Sequence, residues 1–237
     1  PRWVPQMADS AEVMAAITRR AGIRYTALAP NLRGYRAAKA AKVDEIAIFA
    51  SASEGFSRAN LNASIAESLE RFSEIAAAAK SDGIPMRGYV SCVTDCPFDG
   101  AVPPAEVARV AAALRDLGAY EVSLGDTLGH GYPEQIDAML HAVLGELPAE
   151  RLAGHYHDTA GRALANVEVS LGHGLRVFDA AVGGLGGCPY APSATGNVAT
   201  EALDDRLRAL GYDTGLDAQV IAKAAAMAQA MRGEGAG

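Results

Sequence analysis

Short β-rich segments alternate with longer stretches of helical periodicity along this chain. Apolar and β-branched runs predict strands at Tyr25–Asn31, Glu45–Ser53, Met86–Val93, Glu121–Thr127, Leu152–Asp158 and Val177–Gly183. Between them, Ser64–Ala79 keeps Ile65, Leu69, Phe72 and Ile75 on one face at helical spacing. Pro103–Leu117 opens on Pro103-Pro104, suited to a helix start, and stops before Gly118. Further helices are expected at Pro133–Leu147, Ala163–Leu171 and Val198–Leu210, and a last one from about Leu216 to Met231. The alanines of that last helix read as packing or as an oligomer surface.

Repeated β-then-α order implies a parallel sheet with helices outside it. No linker or composition break divides the chain, so residues 1–237 read as a single domain. Two α/β architectures compete, an open doubly wound sheet and a closed (β/α)8 TIM barrel. No GxGxxG follows the first strand, which weakens the dinucleotide-binding form. Polar residues gather at the expected C-terminal strand ends: Asn31, Ser53, Cys92, Asp126, His155 and His157. Barrel enzymes build their sites on that rim, so the barrel is favoured. Six strands are two short of a closed barrel, and the chain opens on Pro1 with no strand before it. The expectation is therefore a barrel lacking its first two strands, with a native polypeptide that extends upstream.

Composition narrows the function. A formal net charge of −7 argues against nonspecific nucleic-acid binding. No apolar run is long enough to span a bilayer, so no membrane partner is expected. Three cysteines at irregular spacing are not a disulfide framework, which favours a reducing, cytoplasmic setting. Cys92 and Cys96 have no second Cys or His pair beside them and read as ordinary thiols rather than zinc ligands.

The chemistry concentrates in HYHDTAGRALAN (His155 to Asn166) and GGLGGCPYAPSATGNVATE (Gly183 to Glu201). His155 and His157 are one residue apart on an expected strand, so period two sends both imidazoles to one face. They can share one divalent cation; the alternative is a pair of hydrogen-bonded core histidines. Asn197 is a candidate third ligand or, on spacing, a helix N-cap. Asp126 ends its strand and can serve as metal partner, acid/base or loop residue. Ser123 and Thr127 flank it and are candidates to bind a substrate carboxylate. The glycine-rich loop permits close backbone approach and closure over a site, and it carries Cys188, a candidate for proton transfer. Arg58, Asn60 and Asn62 read as a loop; they are candidates for an anionic cofactor tail, with a solvated loop as the default. His130 and His173 read as loop residues rather than ligands.

GGLGGCPYAPSATGNVATE, HYHDTAGRALAN, YVSCVTDCPFDG, EVSLGDTLG and WVPQMAD together resemble the 3-hydroxy-3-methylglutaryl-CoA lyase family over essentially the whole chain. The Gly-Leu-Gly-Gly-Cys-Pro run is that family's signature, whereas the His-x-His strand is shared with related barrel lyases and synthases. The resemblance implies a (β/α)8 barrel, Mg2+ or Mn2+, and cleavage of 3-hydroxy-3-methylglutaryl-CoA to acetyl-CoA and acetoacetate. It implies His155, His157 and Asn197 as metal ligands, Cys188 as the catalytic cysteine of a mobile loop, and Asp126 in acid/base chemistry. A homodimer, and a mitochondrial-matrix location in a eukaryote, are further family expectations. The family's Arg-Asp-Gly-Leu-Gln-Asn-Glu motif is absent here, so this segment alone is expected to be weakly active or inactive. Two other readings stay open: an aldolase or acyl-CoA-dependent synthase on the same barrel, and a non-catalytic barrel that binds metal or acyl-CoA.

Overall fold

Six parallel strands follow one another across the sheet in the order in which they occur in the chain. They are β1 (Thr26–Leu28), β2 (Glu45–Ser51), β3 (Met86–Ser91), β6 (Val122–Asp126), β7 (Leu152–Tyr156) and β8 (Val177–Asp179). A two-stranded antiparallel hairpin, β4 (Asp95–Cys96) and β5 (Gly100–Ala101), interrupts the sequence between β3 and β6. This is a computed structural model, and it describes residues 8–187 and 196–234. Every pairing in the main sheet is parallel, and the order never reverses. A doubly wound sheet reverses at a switch point, whereas a β/α barrel winds in one direction. The fold is thus the barrel type expected, with six strands among the described residues and sheet edges at β1 and β8.

The helices are α1 (Ser10–Ala16), α2 (Leu32–Ala40), α3 (Glu54–Leu61), α4 (Ile65–Asp82), α5 (Pro104–Asp116), α6 (Pro133–Leu144), α7 (Ala163–Gly172), α8 (Thr200–Ala209) and α9 (Ala218–Glu234). Their apolar faces bury Phe72, Ile75, Val107, Val110, Leu114, Ile136, Met139 and Leu140 against Ile46, Ile48, Val90, Val122 and Leu124 of the strands. The other face of the sheet carries the polar groups. Caps explain several boundaries. Ser64 accepts from the Glu67 amide while the Glu67 carboxylate accepts from the Ser64 amide, and Gly83 ends α4 at φ +69°.

Three sequence expectations change. Asn31 and Ser53 do not end strands: each caps a helix, accepting from Gly34 N at 2.9 Å and Phe56 N at 3.2 Å. The segment around Asn60 is helix α3 rather than a loop, with Asn62 as its left-handed C-cap at φ 50°. It is short and buries only Phe56 and Ser57, so its periodicity is faint. The last expected strand stops at Asp179, and Val182–Gly184 forms a 3-10 turn in which Gly183 takes φ +68°. No helix among the described residues is long and apolar enough to cross a membrane.

Candidate active site at the rim of the sheet

His155 lies on β7, and His157 follows just beyond the strand end. Strand alternation puts both rings on one face, with centroids 5.5 Å apart. Tyr89 stands edge-on to His155 at 6.0 Å. The returning chain is clamped against this pair. Asp158 N donates to Gly196 O at 3.0 Å, Val198 N donates to Tyr156 O at 3.1 Å, and Asn197 forms a single antiparallel bridge with His157. Asn197 therefore faces the imidazoles across 40 residues of sequence (197 minus 157). It is not a helix cap, since Ala199 occupies that position before α8. The Asn197 side-chain nitrogen donates to Leu185 O at 3.0 Å, which orients the amide and leaves its oxygen as the end able to ligate a hard cation.

The imidazoles differ in environment. His157 is 7% exposed, and its Nδ1 has no hydrogen-bond partner. Burial, reinforced by the neighbouring His155, pushes its pKa down to about 4. A neutral, buried ring with an unsatisfied nitrogen is the state a metal-binding imidazole requires. His155 is more open and meets Asp179 through Nδ1 at 3.1 Å. Asp179 also accepts from Ser123 Oγ at 2.7 Å and from Arg87 Nη1 at 2.8 Å. Burial alone would raise its pKa, but the hydrogen bond from His155 and the Arg87 charge hold it below the ordinary carboxylate value. Arg87 is itself buried and bonds Glu121 through Nε at 2.7 Å and Tyr89 through Nη1. Arg87 and Asp179 were missed from sequence. The available signal was strand parity, since Asp179 ends its strand beside His155.

Ser123, Thr127 and Asp126 are buried. Ser123 is fully buried, and its hydroxyl is spent on Asp179. Thr127 Oγ1 accepts from Cys92 N at 2.8 Å, tying β3 to the end of β6. In this structure both hydroxyls are engaged within the protein. Asp126 is also fully buried; Gly129 N and Thr94 Oγ1, both at 3.1 Å, donate to one oxygen and Gly131 N at 2.9 Å to the other. Burial raises its pKa despite these donors. The carboxylate organises the 127–131 turn from beneath the rim. Asn60 lies on α3. Cys92 and Cys96 are buried free thiols, and burial raises the Cys92 pKa. His173 pairs with Asp137 at 2.7 Å on the surface. Cys188 lies outside the described residues. Glu201, unanticipated, accepts from Gly183 N at 3.1 Å and anchors the glycine-rich segment to α8.

Among the described residues, no group of three His, Cys, Asp or Glu side chains converges on one cation position. His155, His157 and the Asn197 amide fit a divalent cation as a partial ligand set: two same-face imidazoles, one with an orphaned buried nitrogen, and an oriented amide.

One-directional winding, a polar rim and paired imidazoles place the chain among β/α-barrel enzymes. It matches the HMGL-like family over residues 2–228 and belongs to that family. It is 53% identical to the hydroxymethylglutaryl-CoA lyase of Pseudomonas mevalonii over 94% of this chain and 74% of that protein. The crystal structure of the HMG-CoA lyase from Brucella melitensis superposes with a TM-score of 0.95 at 59% identity, covering 98% of this chain and 82% of that one. An HMG-CoA lyase from Acinetobacter baumannii, solved with coenzyme A and 3-methylmalate, superposes with a TM-score of 0.93 at 35% identity, over 98% of this chain and 76% of that one.

Proposed function

We propose that this chain is a carbon–carbon lyase that cleaves 3-hydroxy-3-methylglutaryl-CoA to acetyl-CoA and acetoacetate. The observation that carries the reading is the meeting of His155, His157 and Asn197 at the rim, in a chain of the HMGL-like family. Mg2+ or Mn2+ would be held by those three residues and, when bound, would lower the pKa of a coordinated hydroxyl and fix its geometry.

The reaction is a retro-Claisen cleavage. The C3 hydroxyl loses its proton and becomes the keto group of acetoacetate. The C2–C3 electron pair passes to C2 as a thioester enolate, which is protonated to give acetyl-CoA. Of the two proton acceptors the sequence suggests, His155 is favoured, because both oxygens of Asp126 already accept hydrogen bonds below the surface. The Asp179 carboxylate against Nδ1 leaves Nε2 as the lone-pair nitrogen of His155. That nitrogen has one lone pair, so it takes the hydroxyl proton only in the step in which His157 and Asn197 hold the cation without it. Cys188 is proposed to deliver the proton to C2 from the glycine-rich loop. A cytoplasmic homodimer, or a matrix enzyme in a eukaryote, accompanies this reading.

The test is incubation of the full-length protein with 3-hydroxy-3-methylglutaryl-CoA and Mn2+, scoring acetoacetate and acetyl-CoA in equal amounts. Condensation of acetyl-CoA with a 2-oxo acid instead would favour a synthase; no turnover of either kind would favour a binding barrel.

A further inference from the structure

We propose that Asp179 is a positioning residue that fixes the tautomer and orientation of His155. The proposal rests on the reading that the imidazole pair holds a divalent cation. Asp179 and His155 are register partners on adjacent strands, so their side chains project on the same face. A carboxylate can only accept hydrogen bonds. Nδ1 of His155 at 3.1 Å from Oδ2 therefore carries the proton, and the ring's lone pair is on Nε2.

The carboxylate is itself held. Ser123 Oγ donates to Oδ2 at 2.7 Å, and Arg87 Nη1 donates to Oδ1 at 2.8 Å. Arg87 is anchored in turn by Glu121 at 2.7 Å. Three donors on three different strands, with Arg87 buried among them, leave the carboxylate little freedom to swing. The arrangement turns a chain of buried polar groups into a fixed acceptor beneath one imidazole. A partner of this kind, outside the ligand set, changes metal affinity by about 10- to 100-fold when removed. Asp179 touches neither substrate nor cation in this scheme; it acts through His155.

Three readouts on the full-length protein test this. Long-range 1H–15N correlation spectra of metal-free protein report the His155 tautomer, electron paramagnetic resonance titration reports Mn2+ affinity, and steady-state kinetics separate kcat from KM. In the native protein, His155 is expected as the Nδ1–H tautomer. Asp179→Asn keeps an oxygen for Arg87 but can offer an amide N–H to the ring. It is expected to lose the fixed tautomer, to weaken Mn2+ binding about 10- to 100-fold, and to lower kcat with little change in the KM for the acyl-CoA. Asp179→Glu, which restores a carboxylate, is expected to recover much of the Mn2+ affinity.

A native His155 in the Nε2–H tautomer would overturn the proposal even if Asp179→Asn failed to fold. So would a folded Asp179→Asn that binds Mn2+ within about twofold of the native protein, below the range that losing such a partner produces. An Nδ1–H tautomer in a native protein that binds no Mn2+ would support the orienting contact and overturn the cation reading instead.

Discussion

Nδ1 of His155 and Oδ2 of Asp179 lie 3.1 Å apart, on residues paired in register across neighbouring strands. His157, two residues beyond His155, has no such partner: its Nδ1 is buried and unpaired. One imidazole of the pair is oriented by a carboxylate, and the other is kept neutral by burial.

Replacing either ring should therefore abolish cation binding by different routes. His155→Ala and His157→Asn are each expected to weaken Mn2+ binding by more than about 100-fold, the ceiling for losing a group that only orients a ligand. His155→Ala, at the more open ring, should leave the melting temperature near the native value, whereas His157→Asn should shift it. Mn2+ titration and thermal melts of the two variants check this. Native-like Mn2+ affinity in both would remove the pair from the cation site.

The buried His157 also makes metal-free stability depend on pH. Its folded pKa of about 4 lies below the ordinary imidazole value of 6.5, so the unfolded chain binds more protons between those values. Stability is then complete above pH 6.5 and falls as pH drops toward 4. The contribution is at most about 3.5 kcal/mol, from about 1.4 kcal/mol per unit. Urea unfolding in chelator at pH 7.5 and pH 5 should show the loss in the native protein and a smaller one in His157→Asn.

Gly129 supports the same ring through the backbone. Its φ is +67°, and a Cβ there would sit 2.7 Å from the His157 carbonyl oxygen and 2.8 Å from Thr159 N. Gly129→Ala combines left-handed strain with a backbone clash, a cost of about 2 kcal/mol or more. Displacing the His157 carbonyl should also weaken Mn2+ binding. Denaturant melts beside Mn2+ titration test both; an unchanged melt would show that the turn accommodates the methyl group.

Asp126→Asn distinguishes a turn organiser from an acid or base. The amide can keep only one of the two accepting oxygens that receive Gly129, Gly131 and Thr94, leaving a buried donor unpaired at a cost of about 1–3 kcal/mol. The expected result is a lowered melting temperature alongside any loss of rate. A native melt with kcat reduced about 100-fold or more, the range of a lost acid or base, would return Asp126 to the chemistry.

What was legible in the sequence followed from local periodicity. Alternation placed His155 and His157 on one face, and the β-then-α rhythm located the six parallel strands of the described residues to within a few positions. Polar residues at strand ends were harder to read. Asn31 and Ser53 look like rim groups but turn out to be caps, because a side chain that can cap a helix looks the same in sequence as one that can bind a ligand. Helix α3 was invisible because only two of its residues are buried.

Tertiary structure alone decided who meets whom. Arg87 and Asp179 are 92 residues apart in sequence yet share a hydrogen bond. Asn197 reaches His157 only because the chain returns along the end of β7. Periodicity assigns each side chain to a face of its own strand, whereas a site also needs to know which strands are neighbours and in what register. Only the folded sheet supplies that, and it buried Ser123 and Asp126 as hydrogen-bonded supports while leaving His155 partly exposed.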